Sequence, residues 1–270
     1  MTGEVTPLTG RGWWGKIAVP PGSLRQAGQT DFLTKGPELL PARRHEISRL
    51  EAFSDAVFAF ALTLLVVSLD VPKSYDDLIA LMAGFVPFAA SFALLTWIWY
   101  EHNIFFRKYG LQDPWTTVLN AVLLFVVLFY VYPLKFLFTA AFSFFIPGLG
   151  LGLAHVTPPQ LARIFAIYGA GFVVLFGMFA LLYLQASRKR RELALDPLEL
   201  FDTRSALGAH LVSAGVGLVA ILVALFAPMP LPMFSGFTYF LMGPAHWVFG
   251  VTAGKRRKTI ETRLAPVVGV

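Results

Sequence analysis

The chain reads as an all-α integral membrane protein with six transmembrane helices and both termini in the cytoplasm. Three observations carry that reading. Hydrophobic residues make up 56% of the 270 and charged residues only 14%, with a mean hydropathy of +0.66. A soluble domain would carry roughly a quarter charged residues. Successive apolar runs approach the ~20 residues that a hydrocarbon core requires, each stopped by proline, glycine or charge. The basic residues are distributed unevenly among the connections, which sets an orientation.

The elements follow in order. Residues 1–45 hold Gly, Pro, Thr and scattered charges, and read as a flexible cytoplasmic extension without a signal peptide. Within it, Trp13-Trp14 is either a membrane-interface contact or an incidental apolar patch. Residues 46–252 form the six-helix domain, and 253–270 a basic cytoplasmic tail. The first helix covers about 50–71 and stops at Pro72; a short loop from Lys73 to Asp77 follows. A second helix, about 78–103, carries Pro87 as an expected kink. The third runs from about 115 to 137 with Pro133 near its end, and the Pro/Gly-broken stretch 139–157 reads as an interfacial or extracellular loop. The fourth covers about 159–187, the fifth about 205–227, and the sixth about 233–252.

Charge placement gives an independent check on this topology. Arginine and lysine in the N-terminal region, the 2–3 and 4–5 connections and the C-terminal tail account for 19 of the 22, leaving Lys73, Lys135 and Arg163 elsewhere. The positive-inside rule then places both termini in the cytoplasm of a multi-pass plasma-membrane protein. The basic blocks 188–191 and 255–258 serve as orientation signals, with anionic lipid as a secondary partner and nucleic acid excluded for want of a reading element.

The first helix organises the rest. From Phe53 to Leu69 only Ser54, Asp55, Thr63 and Ser68 are polar, and Asp55 alone is charged. That run rises about 25 Å. At about 100° per residue, Phe53, Phe60, Leu64, Val67 and Val71 share a wedge of roughly 60° with Thr63 at its margin, while Asp55 points about 140° away. A carboxylate just inside such a helix has to be paired, wet or functional.

Catalysis finds little material. His45, His102, His155, His210 and His246 lie on different elements without metal-ligand spacing, and no nucleophile elbow, P-loop or dinucleotide fingerprint occurs. The absence of cysteine removes disulfides and thiolate sites. The chain therefore reads as no enzyme, without a cofactor or a fixed metal site. A permeation path controlled by a hydrophobic constriction needs no fixed charge, which suits helices whose middles are nearly bare of polar groups.

Arg49-x-x-x-Phe53-Ser54-Asp55 at the start of the first helix, followed by Thr63-Leu64-Leu65, resembles the signature of the transmembrane protein 175 family, bacterial relatives of the lysosomal potassium channel. Trp99-x-x-His102-x-x-x-Phe106 and Asn120 extend the resemblance, which covers about 46–250. It implies a homotetramer around a central pore lined by the first helix. Phe60, Leu64 and Val67 would form the apolar constriction, Thr63 would contribute to selectivity, and potassium would be the only metal, present in the pore alone. Phe60 departs from the Ile or Leu of the pattern. Arg49, Phe53, Ser54, Asp55, His102 and Asn120 would form the motif and the polar network joining the first three helices. Asp70, Asp76 and Asp77 either concentrate cations at the outer mouth or sit in a solvated loop. The expected function is a leak-like, potassium-preferring cation channel embedded in the lipid bilayer. The alternative is a proton-coupled or small-solute transporter with His102 and Asp55 as its relay.

Overall fold

The computed structural model of the chain describes residues 47–69, 71–145, 157–228 and 231–264. Seven α-helices and one 3-10 segment make up the described architecture, and no strand occurs among the described residues. Helix α1, Arg49–Val67, starts where Ser48 and Glu51 cap one another: Glu51 N donates to Ser48 Oγ (3.1 Å) and Ser48 N to Glu51 Oε2 (2.8 Å). At its far end the Lys135 ammonium donates to the Ser68 carbonyl (2.7 Å), placing a cation on the negative end of the helix.

The second expected helix is two. α2, Tyr75–Ala83, and α3, Phe85–Tyr109, meet at Gly84 with a 42° bend. The break lies three residues before Pro87, whose missing N–H and ring deny the Ala83 carbonyl its helical partner. The bend at Gly84 is therefore the kink expected of Pro87, at a residue without a side chain to resist it. Asp76 and Asp77 are also not in a loop: Ser74 caps α2 and both acids occupy its first turn. α3 ends on Gly110, whose φ of 57° is the left-handed conformation that an L side chain resists.

The third helix is longer than its hydropathy suggests. α4 spans Pro114–Phe145, with Pro133 in its interior. Residues 139–145, expected in a loop, continue it, and 146–156 lie outside the described residues. α5 covers Pro158–Arg188, and α6, Pro197–Phe226, starts two turns earlier than expected because Asp196 and Glu199 form a capping box. The sixth helix divides into the 3-10 segment Leu231–Leu241 and α7, Met242–Leu264. α7 runs unbroken through Lys255–Lys258, so residues 253–264 of the basic tail are helical. Residues 1–46 and 265–270 lie outside the described residues.

Cross-helix bonds gather alternate helix ends at one pole. Asn120 Nδ2 on α4 donates to Ser54 Oγ on α1 (2.9 Å), Gln185 Nε2 on α5 donates to Asp113 Oδ1 before α4 (3.2 Å), and Tyr109 OH and Thr203 Oγ1 join α3 to α6 (2.8 Å). Arg257 of α7 pairs with Asp202 of α6 at 2.9 Å. Arg107, Lys108, Arg188 and Arg204 sit on the same helix ends or turns as these bonds. The opposite pole holds Lys135 and the Ser68 carbonyl. A core of Phe58, Phe105, Phe106, Leu123, Phe179 and Leu182 fills the space between α1, α3, α4 and α5. α5 and α6 approach closely at Gly217, where a Cβ would meet Phe172 Cδ1 at 2.9 Å.

Four of the helices are long and apolar enough to cross a membrane, and five crossings result if the bent α2–α3 pair counts as one. Large apolar side chains face outward on them, among them Leu211, Leu218 and Leu222 of α6. A soluble monomer of this size does not present so much apolar surface. The chain is a multi-pass membrane protein.

Asp113 is the polar anchor of the α4–α5 corner. Its carboxylate accepts from Thr116 N (3.3 Å), Thr116 Oγ1 (2.6 Å) and Gln185 Nε2, and pairs with Lys189 at 3.5 Å. Burial works to raise its pKa, but the Thr116 bonds and Lys189 outweigh it and hold the group below the usual carboxylate range. A depressed folded pKa contributes stability that is present above the unfolded value, ~3.9, and is lost as pH falls through the folded one. Asp113→Ala is expected to cost about 1–2 kcal/mol near pH 7 through the lost cap. The gap from wild type should close below about pH 4. Thermal unfolding in detergent across pH checks this, and a gap independent of pH would contradict it.

Candidate functional site

α1 has two faces of opposite character. Ser54, Phe58, Ala61 and Leu65 recur every three or four residues and are buried. Phe53, Phe60, Thr63 and Val67 lie on the other side, where Phe53, Phe60 and Val67 are 60%, 56% and 69% exposed. Between Phe53 and Val67 the free face carries no charge; exposed Arg49 falls on the same line one turn before Phe53. Leu64, at one edge of the wedge on the helical wheel, is half-buried and packs against the core, whereas Thr63, at the other margin, is exposed. The buried face fixes this rotation, because Phe58 and Leu65 take the inner positions. Val71 drops off the line because the helix ends at Val67.

Thr63 is the one polar side chain on that line. Its hydroxyl donates to the Ala59 carbonyl at 2.9 Å. With the proton spent on the helix backbone, the lone pairs of Oγ1 remain for an outside partner that accepts electron density.

Behind the start of α1 lies a directional hydrogen-bond chain. His102 Nε2 is 2.7 Å from Asn120 Oδ1, Asn120 Nδ2 donates to Ser54 Oγ at 2.9 Å, and Ser54 Oγ donates to the Leu50 carbonyl at 2.8 Å. Because the Asn120 amide nitrogen is spent on Ser54, its oxygen accepts, and His102 carries the proton on Nε2. All three side chains are at most 1% exposed. The His102 ring is held between Phe58 and Phe106, with centroids 5.4 and 4.5 Å away. The chain thus ties α1, α3 and α4 together.

Asp55 is not a link in that chain. It accepts from the Trp99 indole N–H at 2.8 Å, a second tie between α1 and α3. Arg49 is exposed and makes no hydrogen bond or ion pair among the described residues, and Phe53 points to the free face. The geometry therefore unites Ser54, His102 and Asn120, pairs Asp55 with Trp99, and leaves Arg49 and Phe53 outside. At the opposite pole Asp77 Oδ2 accepts from Lys73 N (3.1 Å), a local helix-start bond, and Asp76 is exposed. Asp70 lies outside the described residues.

Residue-type patterns miss several partners. Trp99 appeared as part of a motif, but its indole gives no sign in sequence of reaching Asp55. Lys135 counts as a stray charge until its bond to Ser68 is seen. Ser213 bonds His246 Nε2 at 2.9 Å in addition to the expected backbone carbonyl, and Thr96 Oγ1 is buried without a partner among the described residues.

The chain is similar to known proteins. The family described as endosomal/lysosomal potassium channel TMEM175 matches residues 49–130, which contain α1, the Asp55–Trp99 bond and the His102–Asn120–Ser54 chain. A potassium channel of Marivirga tractuosa is 41% identical over 81% of this chain and 93% of its own length. A potassium channel of Chamaesiphon minutus is 34% identical over 33% of this chain and 47% of its own. Among solved structures, a threonine-to-alanine variant of the potassium channel MtTMEM175, bound to a nanobody–MBP fusion, is 39% identical with a TM-score of 0.70, covering 79% of this chain and 96% of that one. A lysosomal potassium-selective TMEM175 homolog from Chamaesiphon minutus, 24% identical with a TM-score of 0.51 over 76% of this chain and 96% of that one, shares the fold. With a two-sided first helix, a buried polar tie behind it and a relative this similar over nearly its whole length, the chain belongs to the TMEM175 family of potassium channels.

Proposed function

We propose that this protein is a leak-like, potassium-preferring cation channel in which four copies present α1 to a central pore. The observation that carries the reading is the free face of α1: uncharged from Phe53 to Val67, lined by Phe60, Val67 and part of Leu64, with Thr63 Oγ1 as its one side-chain oxygen. Four such faces make an apolar neck with a ring of oxygen acceptors. Entering it costs an ion much of its hydration, and potassium, the more weakly hydrated ion, loses less than sodium. The His102–Asn120–Ser54 chain and the Asp55–Trp99 bond set the rotation of α1, so they position the neck without touching the ion. Asp76 and Asp77 contribute a diffuse negative field at the outer mouth.

Six crossings follow when the bent α2–α3 pair and the 3-10 segment with α7 are each counted once. Both termini then lie at the pole where the basic residues collect, which the positive-inside rule assigns to the cytoplasm of a plasma-membrane protein. The named relatives conduct potassium by their descriptions, which supports the ion assignment.

Flux into liposomes tests this, with potassium and sodium measured in parallel. Wild type should pass potassium faster. Thr63→Val, which removes one oxygen and keeps the branched shape, should lower the preference about fivefold, the ~1 kcal/mol of one polar contact. Leu64→Ala should have a smaller effect, since that side chain is turned partly into the core. An unchanged ratio in Thr63→Val would remove the threonine from the selectivity mechanism.

A further inference from the structure

α3, α4, α5 and the 3-10 segment enclose a cavity of about 410 Å³ that no step of permeation along α1 uses. Its size lies within the roughly 300–1,000 Å³ of sites that hold a single small ligand. The wall is almost wholly apolar: Leu95 and Ile98 come from α3, Val131 and Leu134 from α4, Leu175 from α5. Three tyrosines line it. Tyr130 OH donates to the Ile167 carbonyl at 3.0 Å and Tyr168 OH to the Pro133 carbonyl, which leaves the Tyr239 hydroxyl as the one further polar group contributed by a tyrosine. Gly171 admits the Tyr130 ring to this position, since a Cβ there would collide with it.

These features select the occupant. Protein interiors are close-packed, and an empty apolar space this large costs stability in proportion to its volume. Water does not fill it, because it needs two or more polar partners that the wall lacks. The cavity lies among helices that cross the membrane, where the available solvent is hydrocarbon. Phe240, one of its lining residues, is 73% exposed and marks an edge open to that solvent. We infer that the cavity holds one acyl chain of a membrane phospholipid as a structural ligand between α3, α4 and α5. The chain enters past Phe240, leaving its headgroup outside. Ile98 adjoins Trp99, so the occupant packs against the same stretch of α3 that holds Asp55.

Photolabelling tests this on the full protein in vesicles containing phosphatidylcholine with a diazirine in one acyl chain. Peptides spanning 126–141 and 161–176 should be labelled at least about fivefold more than the outward face of α6 at Leu218 and Leu222, a contrast set by burial of the ligand. Ala141→Trp should abolish the excess by filling the space, and Leu134→Phe should reduce it, while α6 labelling stays constant. The wild-type contrast alone decides the matter if Ala141→Trp does not fold. Equal labelling of the cavity peptides and α6 would overturn the assignment, as would excess labelling that both variants leave intact. Labelling by a free photoreactive fatty acid but not by the phospholipid would also overturn it. So would an unlabelled cavity, the result if residues 146–156 of the chain itself fill it.

Discussion

Phe60→Ala is expected to raise potassium flux at least about tenfold and to reduce the preference for potassium over sodium. Tenfold corresponds to ~1.4 kcal/mol off the barrier. Phe60 is 56% exposed on the free face of α1, and its ring is larger than a branched aliphatic side chain. In the proposed tetramer four rings meet at one level. A narrow apolar ring excludes water, and an ion crossing it loses hydration with nothing in return. Alanine removes the ring and admits a hydrated ion, so conductance rises while discrimination falls. The substitution leaves the fold intact, because Phe60 makes none of the buried contacts that hold α1; Phe58, Ala61 and Leu65 do. Single-channel recording in planar bilayers separates conductance from open time. Unchanged conductance in Phe60→Ala, with an unaltered melting temperature, would move the barrier away from this level and leave Thr63 or Val67 as its seat.

How far the site could be read in advance follows from what hydropathy encodes. Composition and apolar runs specify which segments cross the membrane but not where each helix starts: the Asp196-x-x-Glu199 capping box begins α6 two turns ahead of its apolar run. The helical wheel separated the outward line of α1 from Asp55 because both depend on one helix alone. Rotation of that helix depends on its neighbours. Leu64 is turned partly inward and Thr63 outward because Phe58 and Leu65 pack inward, a contact that a wheel does not contain. The same holds for Trp99, whose partner lies on another helix, and for Arg49, which a motif groups with Ser54 and the structure does not. The two prolines differ in effect: Pro87 coincides with the 42° bend at Gly84, whereas α4 continues through Pro133 to Phe145. The split of the last segment into 3-10 and α-helix, and the helical course of Lys255–Lys258, leave no mark in hydropathy.

Asn120→Leu is expected to be the most damaging single change in the polar tie, costing about 2–4 kcal/mol of stability. Asn120 is 1% exposed and spends both ends of its amide, accepting from His102 and donating to Ser54. Leucine matches its size but leaves the His102 Nε2–H buried without an acceptor. Ser54 is affected less, because its own proton still goes to the Leu50 carbonyl. The penalty therefore sits mainly on His102, and it has a specific remedy. His102→Phe added to Asn120→Leu removes the orphaned donor and places a ring between Phe58 and Phe106, where an aromatic side chain already fits. The double variant should recover about 1 kcal/mol relative to Asn120→Leu alone, since two matched apolar groups avoid the cost of one unpaired polar group. Melting temperatures in detergent give the stability order, and paired potassium and sodium fluxes show whether α1 keeps its rotation. If the single variant melts like wild type, the chain from His102 to Leu50 contributes no stability. If the double variant melts below the single one, the cost arises from lost shape and not from the stranded proton.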